Sequence, residues 1–215
     1  MSSSSSVLIF GPGKHFGLQL AKRFGSEGHH VVLVARDEIL LSGLCDQLKN
    51  DGISCSYVGA DVGSSRELAQ SLNALGQSIP RVSTLIFNVK VSAPGSGLAI
   101  SPELLTQALA INVSGALAAL QASMPLFSAN ASIILTGGGY KDAPDLEKLA
   151  LSVSKGALHT LFLALVEPMQ QRGLRISTVV IDGVVRESGP ILPDRVANAF
   201  WEAGSAKSGT IVRVA

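Results

Sequence analysis

At 215 residues, 47% of them apolar and 15% charged, the chain is long enough to bury one sizeable core and too apolar to be disordered. Its formal net charge of +1 gives no bulk electrostatic attraction for nucleic acid or an anionic membrane. The two cysteines, Cys45 and Cys55, have neither metal-ligand nor redox spacing, so no metal is expected, and a reducing, cytoplasmic setting fits best.

The first six residues, Met1 and then serines to Ser6, lack the basic start and long apolar stretch of a secretory signal and read as a flexible lead-in. No apolar run approaches the length of a membrane span. Residues 7–10 form a short apolar strand, followed by a glycine-rich turn. A helix with Phe16, Leu20, Ala21 and Phe24 on one face comes next, ended by Gly28. A second strand is expected over 31–35, a helix over 38–49, a third strand over 53–58 and a helix over 66–75 capped by Ser64 or Ser65. The fourth strand is read at 82–87, a loop at 93–97, and helical character in two pieces from Ser101 to about Phe127. A fifth strand is read at 132–135, a long helix at 146–171, a sixth strand at 175–181, a short helix at 194–201 and a last strand at 210–214. Strand and helix alternate, and the strands are apolar on both faces. That pattern predicts one α/β domain over 7–215, a doubly wound parallel sheet of about seven strands with helices on both sides. Ligands of such sheets bind at the topological switch, near the end of the fourth strand.

The turn reads Gly11-Pro12-Gly13-Lys14-His15-Phe16-Gly17, directly between the first strand and the first helix. Glycines there allow a tight bend and let a pyrophosphate approach the backbone, while the helix N-terminus supplies free N–H groups and a positive dipole. Gly17 lets helix and strand pack closely. A purely structural turn is the competing reading, but the strand-turn-helix context favours a Rossmann-like dinucleotide site. An NAD site wants an acidic residue at the end of the second strand. Here Ala35 and Arg36 stand instead, and Lys14 adds a second cation, which favours the 2′-phosphate of NADP(H).

In this order and spacing the residues resemble the short-chain dehydrogenase/reductase family from Val7 to Val185. The stretch from Phe10 to Gly17 resembles its T-G-x-x-x-G-x-G, with Phe10 for the threonine and His15 for the middle glycine. Asp61-Val62 matches the pair whose aspartate meets the adenine amino group, and Asn112-Val113-Ser114-Gly115 matches N-V-x-G. The resemblance implies a cofactor site of Gly11, Gly13, Lys14, Phe16, Gly17, Arg36, Asp61, Val62, Asn88, Lys155 and Val185. It also implies a homodimer or homotetramer assembled through the long helix, where Leu158, Leu161, Phe162, Leu165 and Val166 span a broad arc; burial under the sheet is the plainer alternative.

The departures fall at the chemistry. The family's N-N-A-G becomes Phe87-Asn88-Val89-Lys90, its serine after the fifth strand falls near Gly138, and its Y-x-x-x-K becomes Leu151-Ser152-Val153-Ser154-Lys155. In the family the tyrosine exchanges the proton, the serine polarises the carbonyl, and the lysine lowers the tyrosine pKa and holds the ribose. This chain therefore reads as a short, divergent member without the standard serine and tyrosine. Candidate catalytic residues are Lys155, Asn112 and Tyr140, the last just past the glycine run; a packed tyrosine and a structural Asn112 are the bland alternatives. Lys155 stands amid Val153, Ala157 and Leu158 and needs a partner. Lys90, a cation on the loop after the fourth strand, could stabilise an enolate or bind an acidic substrate, with a solvated loop lysine the favoured alternative, and His159 reads as packed against a helix neighbour. The expected function is an NADP(H)-dependent oxidoreductase acting on a small organic substrate. The alternative is a catalytically silent dinucleotide-binding protein, a sensor or the partner of an active subunit. A non-redox enzyme is a third class that no residue singles out.

Overall fold

A computed structural model describes residues 5–14, 16–92 and 97–215. His15 of the glycine turn, residues 1–4 of the serine run and residues 93–96 of the expected loop lie outside the described residues.

The strands are β1 (Ser6–Phe10), β2 (His30–Ala35), β3 (Cys55–Gly59), β4 (Val82–Phe87), β5 (Phe127–Gly138), β6 (Arg175–Ile181) and β7 (Ile211–Val214). They form one parallel sheet in the order β3-β2-β1-β4-β5-β6-β7. The helices are α1 (Phe16–Gly25), α2 (Glu38–Asn50), α3 (Ser65–Leu75), α4 (Pro102–Leu109), α5 (Gly115–Ser123), α6 (Leu149–Gln171) and α7 (Pro193–Ser205). The expected doubly wound sheet is present, with seven strands.

Strand residues alternate between two cores, because successive side chains point to opposite faces. On one face Leu8, Phe10, Leu85 and Phe87 pack with Leu68, Leu120, Leu158 and Phe162 from α3, α5 and α6. On the other, Val7, Ile9, Leu33 and Ile86 pack with Leu20, Phe24, Leu41 and Phe200 from α1, α2 and α7. The chain leaves β1 towards β2 on one side and returns through β4 on the other, so the C-terminal ends of β1 and β4 diverge into a crevice. Phe10 is in register with Phe87, which places Gly11 beside Asn88.

Several local expectations need correction. The loose lead-in does not reach Ser6: that residue is fully buried in β1, donates its hydroxyl to Pro80 O at 2.8 Å and pairs through its N–H with Arg81 O at 2.9 Å. Helix α1 stops at Gly25, three residues before Gly28, whose φ of +87° turns the chain towards β2. β5 runs well past 132–135 at both ends, drawn out by pairing with β4 and β6. Ser64 precedes α3 but makes no side-chain cap bond, whereas Asp37 and Ser101 cap α2 and α4. Two helical stretches, 102–126 and 146–171, are long and apolar enough to span a bilayer, contrary to the expectation that no run is. Both belong to the layer covering the sheet, where a helix packed against sheet and neighbouring helices is apolar over most of its circumference. On α6, Leu158 and Phe162 are buried and Leu161, Leu165 and Val166 pack partly against the same core, while Leu163 is exposed.

Candidate functional site

The turn after β1 is shaped by close backbone approaches. Gly11 has φ +68°, and a Cβ there would lie 2.8 Å from Val89 Cα at the end of β4. Gly17 faces the turn from α1, and a Cβ on it would sit 1.0 Å from Pro12 O. Gly13, with φ +62°, has nothing within 4 Å of a Cβ position. The turn is thus folded hard onto its own helix, with open space over Gly13.

Two cavities lie at the crevice. One, about 370 Å³, is lined by Gly11, Gly13, Arg36, Asp61, Val62 and Asn88 among others. The other, about 320 Å³, is lined by Phe16, Gly138, Tyr140, Leu151, Lys155 and Val185 among others. Asn88 and Lys90 line both, so the cavities adjoin at the end of β4. Lys14 is exposed, Gly17 is buried beneath the turn, and Asn112 is buried; none of the three lines either cavity. The remaining residues singled out in the sequence are brought together.

The first cavity is framed by the ends of β1, β2 and β3. Asp61 Oδ1 accepts from Gly63 N at 2.8 Å, and Asp61 Oδ2 lies 3.9 Å from an Arg36 guanidinium nitrogen. Arg36 is 72% exposed, so this loose pair leaves its planar fork available.

The second cavity is built around Asn88, Thr136 and Lys155. Asn88 Nδ2 donates to Gly11 O at 2.9 Å and its Oδ1 accepts from Thr136 Oγ1 at 3.1 Å. Thr136 O in turn accepts from Lys155 Nζ at 2.6 Å. This chain of contacts ties the glycine turn, β4, β5 and α6 into one unit. Gly138 lies against it, and a Cβ there would meet the Lys155 stem in van der Waals contact at 3.4 Å. Burial, assisted by the nearby charge of Lys90, lowers the Lys155 ammonium from an ordinary 10.5 to about 8. His159 stacks on Phe162 at 5.9 Å rather than facing the cavity. Tyr140 sits in a short 3₁₀ turn, Gly139–Lys141, that Asp142 anchors through ion pairs to Lys141 and Arg213.

Asn112 occupies a π-turn, Ala110–Ser114, between α4 and α5. Its Oδ1 accepts from Val91 N at 2.8 Å, and its Nδ2 donates to Val91 O at 2.9 Å and to Ser154 Oγ at 3.1 Å. The side chain pins the segment after β4 and is one residue removed from Lys155 through Ser154. Replacing Asn112 by alanine strands both backbone groups of Val91 and is expected to cost about 2–3 kcal/mol. Urea unfolding measures this; a loss below about 1 kcal/mol would mean that Val91 is held by something else.

Thr136 and Ser154 are not among the candidates that the sequence singles out. Thr136 offers a weak signal, as a polar residue at the inward end of an apolar strand. Ser154 offers none, because its partner is 42 residues away. Among the described residues no group of His, Cys, Asp or Glu side chains could hold a metal ion.

The family model described as short chain dehydrogenase matches residues 5–188. Human Short-chain dehydrogenase/reductase 3 is 29% identical over 124 residues, which make up 57% of this chain but only 41% of that protein's length. Oxidoreductase UcpA of Salmonella typhimurium is 24% identical over 213 residues, covering 94% of this chain and 80% of that one. Among solved structures, a metagenomic short-chain oxidoreductase crystallised in complex with NADP superposes with a TM-score of 0.85 at 25% identity, covering 100% of this chain and 97% of the other.

Proposed function

This chain belongs to the short-chain dehydrogenase family, and from that premise we propose that it is an NADP(H)-dependent oxidoreductase acting on a small organic substrate through a non-standard active site. The observation that carries the reading is the two-part crevice at the switch point, one part ending on Arg36 and the other on Lys155. The residues fit the cofactor. The turn is bent clear of the space over Gly13, the adjoining cavities suit a two-part ligand, and Arg36 offers a fork to a 2′-phosphate. A metagenomic relative of the same fold crystallised with NADP supports the same choice.

When bound, the nicotinamide supplies or takes the hydride. The chain does the rest. Arg36 and the turn hold the adenosine end, with Asp61 and Val62 beside them. Phe16 and Val185 wall the other cavity. In this assignment Gly138 and Leu151 occupy the places of the family's serine and tyrosine, and neither can exchange a proton. Tyr140 and Lys155 line the same cavity and can. Lys155 is the better matched of the two, because an ammonium near 8 loses and regains its proton close to neutral pH. Asn112 acts as a positioning residue through Val91 and Ser154. Assembly into a homodimer or homotetramer through α6 is part of the proposal, supported by the exposed Leu163.

Calorimetric titration with NADPH and NADH tests the cofactor assignment. Wild type should bind NADPH in the micromolar range. Arg36→Ala should weaken that binding about tenfold and leave NADH within about twofold, since only the 2′-phosphate uses the guanidinium. Absence of binding by either nucleotide would overturn the reading. Binding without NADPH consumption across a panel of small carbonyl compounds would leave a silent dinucleotide-binding protein instead.

A further inference from the structure

Cys45 of α2 and Cys55 of β3 lie on facing sides of one seam. Helix α2 runs back along β3, and the contacts at its two ends fix their alignment. At one end Ile53 N donates to Leu48 O at 2.9 Å. At the other Gly59 lies against Glu38, where a Cβ would come within 2.1 Å of the Glu38 carboxylate, and Asp61 lies 3.9 Å from Arg36 just beyond. Three residues of helix back from Leu48 rise about 4.5 Å. Two residues of extended chain on from Ile53 rise about 6.6 Å. Cys45 and Cys55 therefore stand nearly level, and both are buried in the same core as Leu44, Leu48 and Ile53. Cys45 is near enough to act on the Cys55 thiol, which burial and then that neighbour push above its ordinary range. Neither thiol lines the dinucleotide crevice. β3 is the edge of the sheet, with β2 as its one neighbouring strand, so it belongs to the less stable part of the fold.

We propose that Cys45 and Cys55 are a dithiol that a hydroperoxide closes reversibly to a disulfide when β3 parts from α2, and that bound dinucleotide keeps it reduced by holding the seam shut. The Cys45 sulfur attacks the peroxide, the O–O bond breaks, and Cys45 becomes a sulfenic acid with release of water. The Cys55 sulfur then attacks Cys45, the S–O bond breaks, and the hydroxide leaves with the Cys55 proton as a second water. The two thiols are oxidised and the peroxide is reduced. Protection follows from where the seam ends. Arg36 and Leu40 on the α2 side, and Ala60 and Asp61 on the β3 side, line the first cavity. A dinucleotide held there bridges both sides, so opening the seam costs it contacts and occupancy suppresses opening. The protection rests on the dinucleotide reading; the dithiol does not.

The test treats the full chain with hydrogen peroxide, alone and with NADP⁺, which brings no reducing electrons. Free thiols are then alkylated in denaturant and the chain is digested with trypsin. Cleavage after Lys49 leaves the Cys45 and Cys55 peptides joined only by a disulfide. Both thiols should disappear together, the linked peptides should appear, and dithiothreitol should restore both thiols. At about a hundred times its Kd, NADP⁺ should slow the linkage at least about tenfold. Cys45→Ala should leave Cys55 unreactive over the same period. Thiols that stay free, or that oxidise separately without linked peptides, would overturn the dithiol. Linkage at an unchanged rate with NADP⁺ bound, as checked by calorimetry, would overturn the protection. If NADP⁺ does not bind at all, the cofactor reading fails and the protection with it, while the linked peptides still decide the dithiol.

Discussion

Replacing Gly17 by alanine will unfold the protein at a much lower temperature and abolish its dinucleotide site. The added Cβ would lie 1.0 Å from Pro12 O and 1.8 Å from Pro12 C, both backbone atoms, so no side chain can turn aside to relieve the clash. Either the turn lifts off α1 or α1 shifts against β1, and both movements break close packing. A cost of about 4 kcal/mol or more is expected, which in a domain of this size lowers Tm by roughly 10–15 °C. Gly13→Ala is the control. It carries the same added methyl at φ +62°, with nothing within 4 Å, so only the left-handed backbone penalty of about 1–2 kcal/mol applies. Scanning calorimetry of the two variants, with NADPH titration of whichever stays folded, reads the difference. Equal losses in the two would show that backbone strain rather than the Pro12 contact shapes the turn.

The second large effect runs in opposite directions for stability and activity. Lys155 keeps an enclosed ammonium near 8 that in an unfolded chain titrates at 10.5. The folded pKa lies below the unfolded one, so the unfolded chain binds more protons between these values and stability rises with pH across that window. Below about pH 8 the full cost of the buried charge, about 3 kcal/mol, is present. Lys155→Met removes the charge and loses one hydrogen bond to Thr136 O, itself worth about 1 kcal/mol. The variant should gain about 2 kcal/mol at pH 7, a Tm rise of roughly 4–8 °C. It should also lose the rise in stability between pH 8 and 10.5. NADPH-dependent turnover should fall about a hundredfold or more, the usual cost of losing an acid-base group. A lower Tm at pH 7, or an unchanged pH profile, would place the Lys155 ammonium in a better-solvated or paired setting. The combination expected here is a residue kept for function at the expense of stability.

Much of the architecture was legible in the residues. Runs such as Val7 to Phe10 and Val31 to Ala35 are apolar on both faces, which only a strand covered on both sides can satisfy. Helical periodicity in Phe16, Leu20 and Phe24, and in Leu41, Leu44 and Leu48, placed α1 and α2 with the correct inner face. β5 is longer than its sequence suggests because Ser128, Asn130 and the glycines after Thr136 have weak strand propensity. Their extended form comes from partners on β4 and β6, such as Val82 for Phe127 and Val180 for Gly137.

The sequence by itself determined the order of elements, the parallel sheet and the glycine turn between β1 and α1. All of these are local properties, carried by neighbours within a turn of helix or a few residues of strand. Only the tertiary structure decided which side chains meet. Asn112 closes on Val91, 21 residues away, and on Ser154, 42 residues away. Asn88, Thr136 and Lys155 form one chain of contacts from the glycine turn across two strands to a helix. Lys90, which reads as a solvated loop residue, shares a cavity with Lys155. Contacts of this kind depend on sheet order and helix placement, which bring together residues whose separation along the chain bears no relation to any local period.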